Sequence, residues 1–434
     1  MNKWTVWLCA LGCAFGVQAD EAPVLIRFED ALLMALDSDE RIEIQRRESE
    51  IAGYEVNRAW AIVSPRVSAS GQYSRPEEAI LRGDSVVVPE DSWRGSVTAR
   101  QPLFDGRVLS ARRVGLAREE SEIRLLAHYI QFTLFDVARA YYHVLSVNDR
   151  VTVAGQTLEL AGQEVARARA RYDAGEARRT EVLRAEVDES RAVRNLVASQ
   201  NEYEIAMSDL ARRIGLTGDH AFRLEPPPAA PEPDSFDRLQ LVALALEGRQ
   251  DLAAARSQMK SRREEHTVIR REAWPTLELQ YTHQFVDPES FTTRNNFWDV
   301  AAVARMEFWD GGSRRISRRQ QEQRIEQAAL RISEMERMIE QEVRQALLEL
   351  DTLVKNLTTL QKEVDLAEEN YRTLSEQAQV GLATSLDVST ALTALAQART
   401  ELAQQEFDVE VAKQRVDAVA GRFAAGLIQI EEPQ

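Results

Sequence analysis

The chain has 434 residues, with 54 Lys and Arg against 70 Asp and Glu, for a formal net charge of −16. So acidic a surface excludes broad binding to a nucleic-acid backbone, although charge says nothing about fold. After residue 19 no apolar run is long enough to cross a bilayer as a helix.

Residues 1–19 read as a secretory signal peptide: Lys3, an apolar run from Trp4 to Val17, and a small-residue exit at Val17-Gln18-Ala19. The run is too short for a membrane anchor. Both cysteines, Cys9 and Cys13, lie within it, so cleavage after Ala19 leaves a mature chain that needs no disulfides in an oxidising compartment. Ala10-Leu11-Gly12-Cys13 faintly resembles a lipoprotein signal, which keeps lipidation of Cys13 open. Losing Lys3 takes the net charge from −16 to −17.

Beyond the leader one unit is written twice. Ala35-Leu36, Pro65, Asp105-Gly106, Gly175 and Gly215 recur as Ala245-Leu246, Pro275, Asp310-Gly311, Gly381 and Gly421. The offset is 210 residues at the first two landmarks, 205 at Asp-Gly and 206 at both later glycines. So constant a spacing indicates duplication. The predicted boundaries are 20–216 for the first repeat, 217–235 for a linker, 236–425 for the second repeat and 426–434 for a tail. The five prolines of Glu225–Pro233 forbid helix and favour a stiff extended linker.

Each repeat holds two segments of period two, expected as strands at about 66–75 and 93–104, then 276–286 and 297–309. Val67, Ala69, Gly71 and Tyr73 alternate with Ser68, Ser70 and Gln72; Trp93, Gly95, Val97 and Ala99 alternate with Arg94, Ser96 and Thr98. Leu277, Leu279, Tyr281 and Phe285 oppose Glu278, Gln280 and Thr282, and the alternation from Trp298 runs on to Met306 and Phe308. About ten residues suffice for a tilted strand to cross a bilayer. A half-buried sheet covered by helices gives the same period. The four segments together with the leader favour the membrane. Four strands cannot close, and an open edge cannot sit in lipid, so several copies must share one barrel. Barrels of about eight strands fill with side chains, which makes three copies the smallest number that leaves a channel.

Long helices are expected from roughly Val108 to Tyr172 and Arg314 to Ala378, each on the order of 100 Å. Shorter ones, near Phe28–Ser64 with Glu181–Ile214 and Asp237–Trp274 with Asp387–Ala420, have the lengths to pair along them. Val343, Ala346, Leu350, Leu353, Leu357, Leu360, Val364, Ala367, Tyr371, Leu374 and Ala378 recur at steps of three and four, a coiled-coil seam. Gly381 ends that helix, and Thr384 with Asp387 reads as a capping box opening the next. An ordinary coiled coil fits the seam equally well but leaves the strands unexplained.

Val380-Gly381-Leu382-Ala383-Thr384-Ser385-Leu386-Asp387-Val388, with Tyr172-Asp173-Ala174-Gly175 and Glu181-Val182-Leu183-Arg184-Ala185-Glu186 at the matching place in the first repeat, resembles the tip motif of the TolC-like outer-membrane efflux protein family. The resemblance implies a mainly α fold with transmembrane β: a homotrimer whose 12-stranded β-barrel continues into a periplasmic α-helical barrel. It also implies an outer-membrane exit duct that docks an inner-membrane transporter through a periplasmic adaptor protein. Carried over by position, Val380, Gly381, Leu382, Thr384 and Gly175 meet the adaptor, while Asp387, Glu181 and Thr180 line the periplasmic entrance. The glycines are needed for the turns in any case, and Asp387 also serves as a helix cap. In a trimer three Asp387 side chains would form an acidic ring, with each carboxyl pKa raised by mutual repulsion. Ala378 and Ala383 stand where some members carry a closing tyrosine and arginine, and Thr390 replaces a second acid. Arg178 and Arg179 are candidate substitutes in closure.

Enzyme chemistry finds little in the chain. The five histidines have no metal-ligand spacing, and no phosphate loop or nucleophile elbow occurs. No cofactor, catalytic residue or metal site is expected. The competing class is a soluble periplasmic coiled-coil scaffold or adaptor.

Overall fold

The computed structural model describes residues 24–78, 80–82, 85–88, 91–216, 222–227, 237–287 and 295–423. The expected signal peptide at 1–19, the expected tail at 426–434 and most of the proline-rich stretch expected as linker lie outside the described residues. In chain order the elements are β1 (Val24–Ile26), α1 (Phe28–Ser38), α2 (Glu40–Trp60), β2 (Arg66–Ser74), β3 (Ile80–Arg82), β4 (Ser85–Val88), β5 (Ser92–Phe104), α3 (Val108–Asp173) and α4 (Arg179–Arg213). They continue with β6 (Phe222–Leu224), α5 (Arg238–Gly248), α6 (Gln250–Arg271), β7 (Thr276–Asp287), β8 (Asn296–Arg305), α7 (Ser313–Gln379) and α8 (Ser385–Val419). The order α1-α2-β2-β5-α3-α4 returns as α5-α6-β7-β8-α7-α8.

Five local features depart from the sequence expectations. The helix expected over Phe28–Ser64 is broken at Asp39, whose backbone is extended and whose carboxylate accepts the Arg41 N–H at 2.8 Å, capping α2. Arg249 makes the same break between α5 and α6. The last strand stops at Arg305, not near residue 309, because its partner β7 begins at Thr276 after Pro275, leaving nothing to pair with Met306 onward. Phe222–Leu224, inside the stretch expected as linker, forms β6 and pairs in parallel with β1. The β3–β4 hairpin in the connection between β2 and β5 has no counterpart in the sequence reading.

β2, β5, β7 and β8 form one antiparallel sheet in that order. The register aligns the alternation across all four strands: Tyr73 opposes Trp93, Ala99 opposes Tyr281, and Tyr281 opposes Val300. One face is therefore mainly apolar, with Gln101, His283, Asp287 and Asn296 its polar members, while the other carries Ser70, Ser96, Arg100, Gln280 and Asp299. Among the described residues no helix lies along either face. Val67 is 71% exposed, Trp93 61% and Trp298 65%. β5 and β7, with 13 and 12 residues, reach about 40 Å, enough to cross a bilayer at a tilt.

The 66 residues of α3 and 67 of α7 each extend about 100 Å. α3 packs with α2 along one part of its length and α4 along the rest, as α7 does with α6 and α8. Midway along α3, Leu134, Val137, Ala138 and Tyr141 form a core with Ala35, Leu210 and Ile214. The Tyr141 hydroxyl donates to the carbonyls of Ile26 (3.0 Å) and Glu225 (2.6 Å), tying the β1–β6 ribbon to the helix. Burial pushes its pKa up to about 12, so it remains a donor. A second core joins Leu241, Ala245 and Leu252 to Ile339, Val343, Ala346 and Leu350, the upper end of the seam. A third, holding Tyr371, Ala378, Val388 and Leu395 with Ala161 and Ala192, binds the two helical hairpins together near their ends.

Candidate functional site

Each helical hairpin ends in a glycine turn. At the second, Gly381 adopts φ +75°, the left-handed conformation that an L side chain resists, and the Leu382 N–H reaches back to the Gln377 carbonyl at 2.9 Å. Thr384 and Asp387 then form a reciprocal capping box. The Asp387 carboxylate accepts the Thr384 N–H at 2.9 Å and its hydroxyl at 2.6 Å, while the Thr384 hydroxyl oxygen accepts the Asp387 N–H at 3.3 Å. These bonds hold the Asp387 carboxyl below its ordinary value. That is opposite in direction to the rise expected for an acidic ring. In a single chain the local cap acts alone, with no like charge to oppose it. Val380 is 71% and Leu382 79% exposed, two apolar side chains at the extreme end of the rod.

The first tip has the same geometry and different chemistry. Gly175 has φ +79°, and the Arg171 carbonyl accepts the Glu176 N–H at 2.8 Å. Glu181 accepts the Arg178 N–H at 3.4 Å and lies 3.9 Å from the Arg171 guanidinium. Arg178, Arg179 and Thr180 are exposed, and among the described residues neither arginine makes an ion pair. Nor does any hydrogen bond or ion pair there join Thr180 or Glu181 to Asp387. A charged tip thus stands beside an apolar one.

Between the hairpins the structure brings together residues that sequence reasoning missed. The Glu164 carboxylate on α3 accepts from Tyr371 (3.0 Å) and Ser375 (3.1 Å) on α7, and from Arg167 (2.7 Å). Ser389 on α8 donates to Asp188 on α4 at 2.5 Å. Burial, then the nearby Glu164 charge, pushes the Tyr371 pKa up to about 12, keeping its proton for donation. The only sequence signal was Tyr371 itself, a hydroxyl within an apolar seam. Glu164 and Asp188 looked like the ordinary solvated acids of a helix face. Ala378 is buried in the adjoining core, where a larger polar residue would have no room without displacement.

A paired rod of helices with turn-capped tips, continuous with a sheet whose apolar face is bare, defines a channel-type protein that spans a membrane through strands. The chain belongs to the outer membrane efflux protein family, whose model matches residues 32–216 and 241–422. The two matched segments correspond to the two repeats. The chain is 25% identical over 351 residues to the outer membrane efflux protein BepC of Brucella suis, covering 78% of this chain and 74% of that one. It is 22% identical to the alkaline protease secretion protein AprF of Pseudomonas aeruginosa, over 99% of this chain and 89% of AprF. The outer membrane protein VceC from Vibrio cholerae shares the fold with a TM-score of 0.76 and 18% identity, over 91% of this chain and 96% of VceC.

Proposed function

We propose that the chain is an outer-membrane exit duct for efflux or secretion, reached through a periplasmic adaptor from an inner-membrane transporter. The observation that carries this is the four-stranded sheet with one bare apolar face and one polar face, joined directly to rods of about 100 Å. Exposed backbone on β2 and β8 has no place in lipid unless another copy pairs with it. Three copies, β8 of each beside β2 of the next, give a 12-stranded barrel with a polar lumen and a lipid-facing apolar wall. The helices continue that wall into the periplasm, and residues 1–19 direct the chain there. A soluble scaffold would leave the same apolar face in water, at a cost of about 25 cal/mol per Å².

At the far end Val380, Gly381, Leu382 and Thr384, with Gly175 on the first tip, meet the adaptor. Asp387, Glu181 and Thr180 border the entrance. The Glu164–Tyr371–Ser375 contact, two turns inside the tip, holds the second hairpin against the first and takes the place of the closing contacts that Ala378 and Ala383 cannot make. Opening then requires α7 and α8 to leave α3 and α4.

Membrane fractionation followed by sizing in detergent tests the assembly. The protein is expected in the outer-membrane fraction, as a particle with about three times the mass of the mature chain. A monodisperse monomer in the soluble fraction would overturn both the barrel and the duct.

A further inference from the structure

At the centre of the sheet, where β5 ends and β7 begins, Phe104 lies opposite Leu277 on the apolar face. Trp274 is nearly parallel to Phe104, with ring centroids 6.5 Å apart at 8°, so its indole lies on that same face. Gly106 permits the fit, since a Cβ there would stand 2.6 Å from Trp274 Cε3. One turn earlier, Arg271 sets its guanidinium carbon 5.6 Å from the Trp274 ring centroid and donates a single N–H to the Gly106 carbonyl at 3.3 Å. A guanidinium has five N–H donors, and among the described residues Arg271 has no carboxylate partner. The arrangement recurs at the end of α2, with Arg112 lying 5.9 Å from the Trp60 ring centroid. Arg58, Arg270 and Arg315 are exposed at the same helix ends, without an ion pair among the described residues. Asp105 and Asp310 are already held by Arg107 and Arg314, leaving Glu272 and Glu307 as the neighbouring acids.

On the outer-membrane reading, on which this inference rests, that level is where the apolar wall gives way to water. Indole rings favour the interface, and the phosphate layer lies there. Because β5 and β7 are the inner strands of the four, closure through β2 and β8 leaves this point uncovered. We propose that Arg271, oriented by Trp274, binds the phosphate of an anionic glycerophospholipid in the leaflet at the helical end of the barrel. The planar guanidinium over the indole presents a two-pronged donor to the phosphate oxygens, which an ammonium does not. The surrounding uncompensated arginines favour a headgroup with net negative charge over one that carries its own cation.

The test is native mass spectrometry of the full chain in detergent, with phosphatidylglycerol and phosphatidylcholine of equal chain length supplied together. Wild type is expected to retain phosphatidylglycerol about five-fold over phosphatidylcholine, and Arg271→Gln to lose that preference with its oligomer intact. Arg271→Lys, which keeps the charge without the fork, should fall between them. An equal preference in wild type and Arg271→Gln overturns the site. If Arg271→Gln does not assemble, an undiminished preference in Arg271→Lys overturns the guanidinium-fork assignment. Wild-type protein that stays in solution without detergent and retains neither lipid would overturn the outer-membrane reading itself, a result distinct from the other two.

Discussion

Asp387 is both a helix cap and the acid expected at the entrance, and the two roles pull its pKa in opposite directions. Within one chain the Thr384 bonds win, lowering it. A depressed folded pKa means that the box contributes fully above the unfolded value and is lost as pH falls through the folded one. Amide exchange at Asp387 and Val388 should therefore stay constant from neutral pH to just above the usual carboxylate range and rise only below it, after correction for intrinsic rates. Thr384→Ala should raise the same exchange at neutral pH, for a loss of about 1 kcal/mol. No change in Thr384→Ala would show that the cap does not hold the turn. Leu382 is a different case: at 79% exposure it contributes almost nothing to folding. Leu382→Glu is expected to abolish export and adaptor crosslinking while leaving the assembled particle unchanged. Normal export would remove the docking role.

Among the elements, what holds the second hairpin against the first is a mixture of apolar packing and two carboxylates, Glu164 and Asp188. Leu392, Leu395 and Val388 on α8 are buried with Ala161 and Ala192 from the first hairpin, and alanine on both sides lets the helices approach closely. Packing of this kind favours the closed pair non-directionally, while Glu164 fixes its register through Tyr371 and Ser375. Removing the tyrosine hydroxyl alone leaves the ring and the packing in place, at a cost of about 1.5–3 kcal/mol for a bond to a charged acceptor. Tyr371→Phe is thus expected to raise single-channel conductance in planar bilayers without altering assembly, and Glu164→Gln to do the same by weakening all three bonds. Conductance equal to wild type in both would leave the contact as simple packing. The two tips differ enough to be told apart: apolar Val380 and Leu382 on one, Arg178 and Arg179 on the other.

For the whole molecule, symmetry decides what a single chain cannot display. Three Asp387 side chains around one axis in a narrow passage would concentrate cations, and mutual repulsion would offset the lowering imposed by the cap. Trivalent cation added on the periplasmic side should block wild-type conductance, and Asp387→Ala should lose that block with the assembly intact. Equal block in both would confine Asp387 to its cap. On the same proposal, symmetry would close the sheet, since β2 and β8, at the two edges of the described sheet, are complementary antiparallel partners.

Local rules made much of this legible. Left-handed glycines, the Thr384–Asp387 box, the period-two segments and the long seam each depend on residues within a few positions of one another, and the duplication repeated every one. The family followed from those same stretches. What escaped were features whose partners are remote in sequence. Asp39 ends a helix because its carboxylate caps the next one, within a segment otherwise helical by pattern. Phe222 joins β1 across nearly two hundred residues, and three consecutive residues carry no period to reveal it. Glu164 reaches Tyr371 and Ser375, and Asp188 reaches Ser389, only after two hairpins dock, so residues indistinguishable from solvated acids in the sequence become ties between them. Alternation showed that each strand had an apolar side; only the register put all four on one face, and only the tertiary structure showed that, among the described residues, no helix covers it.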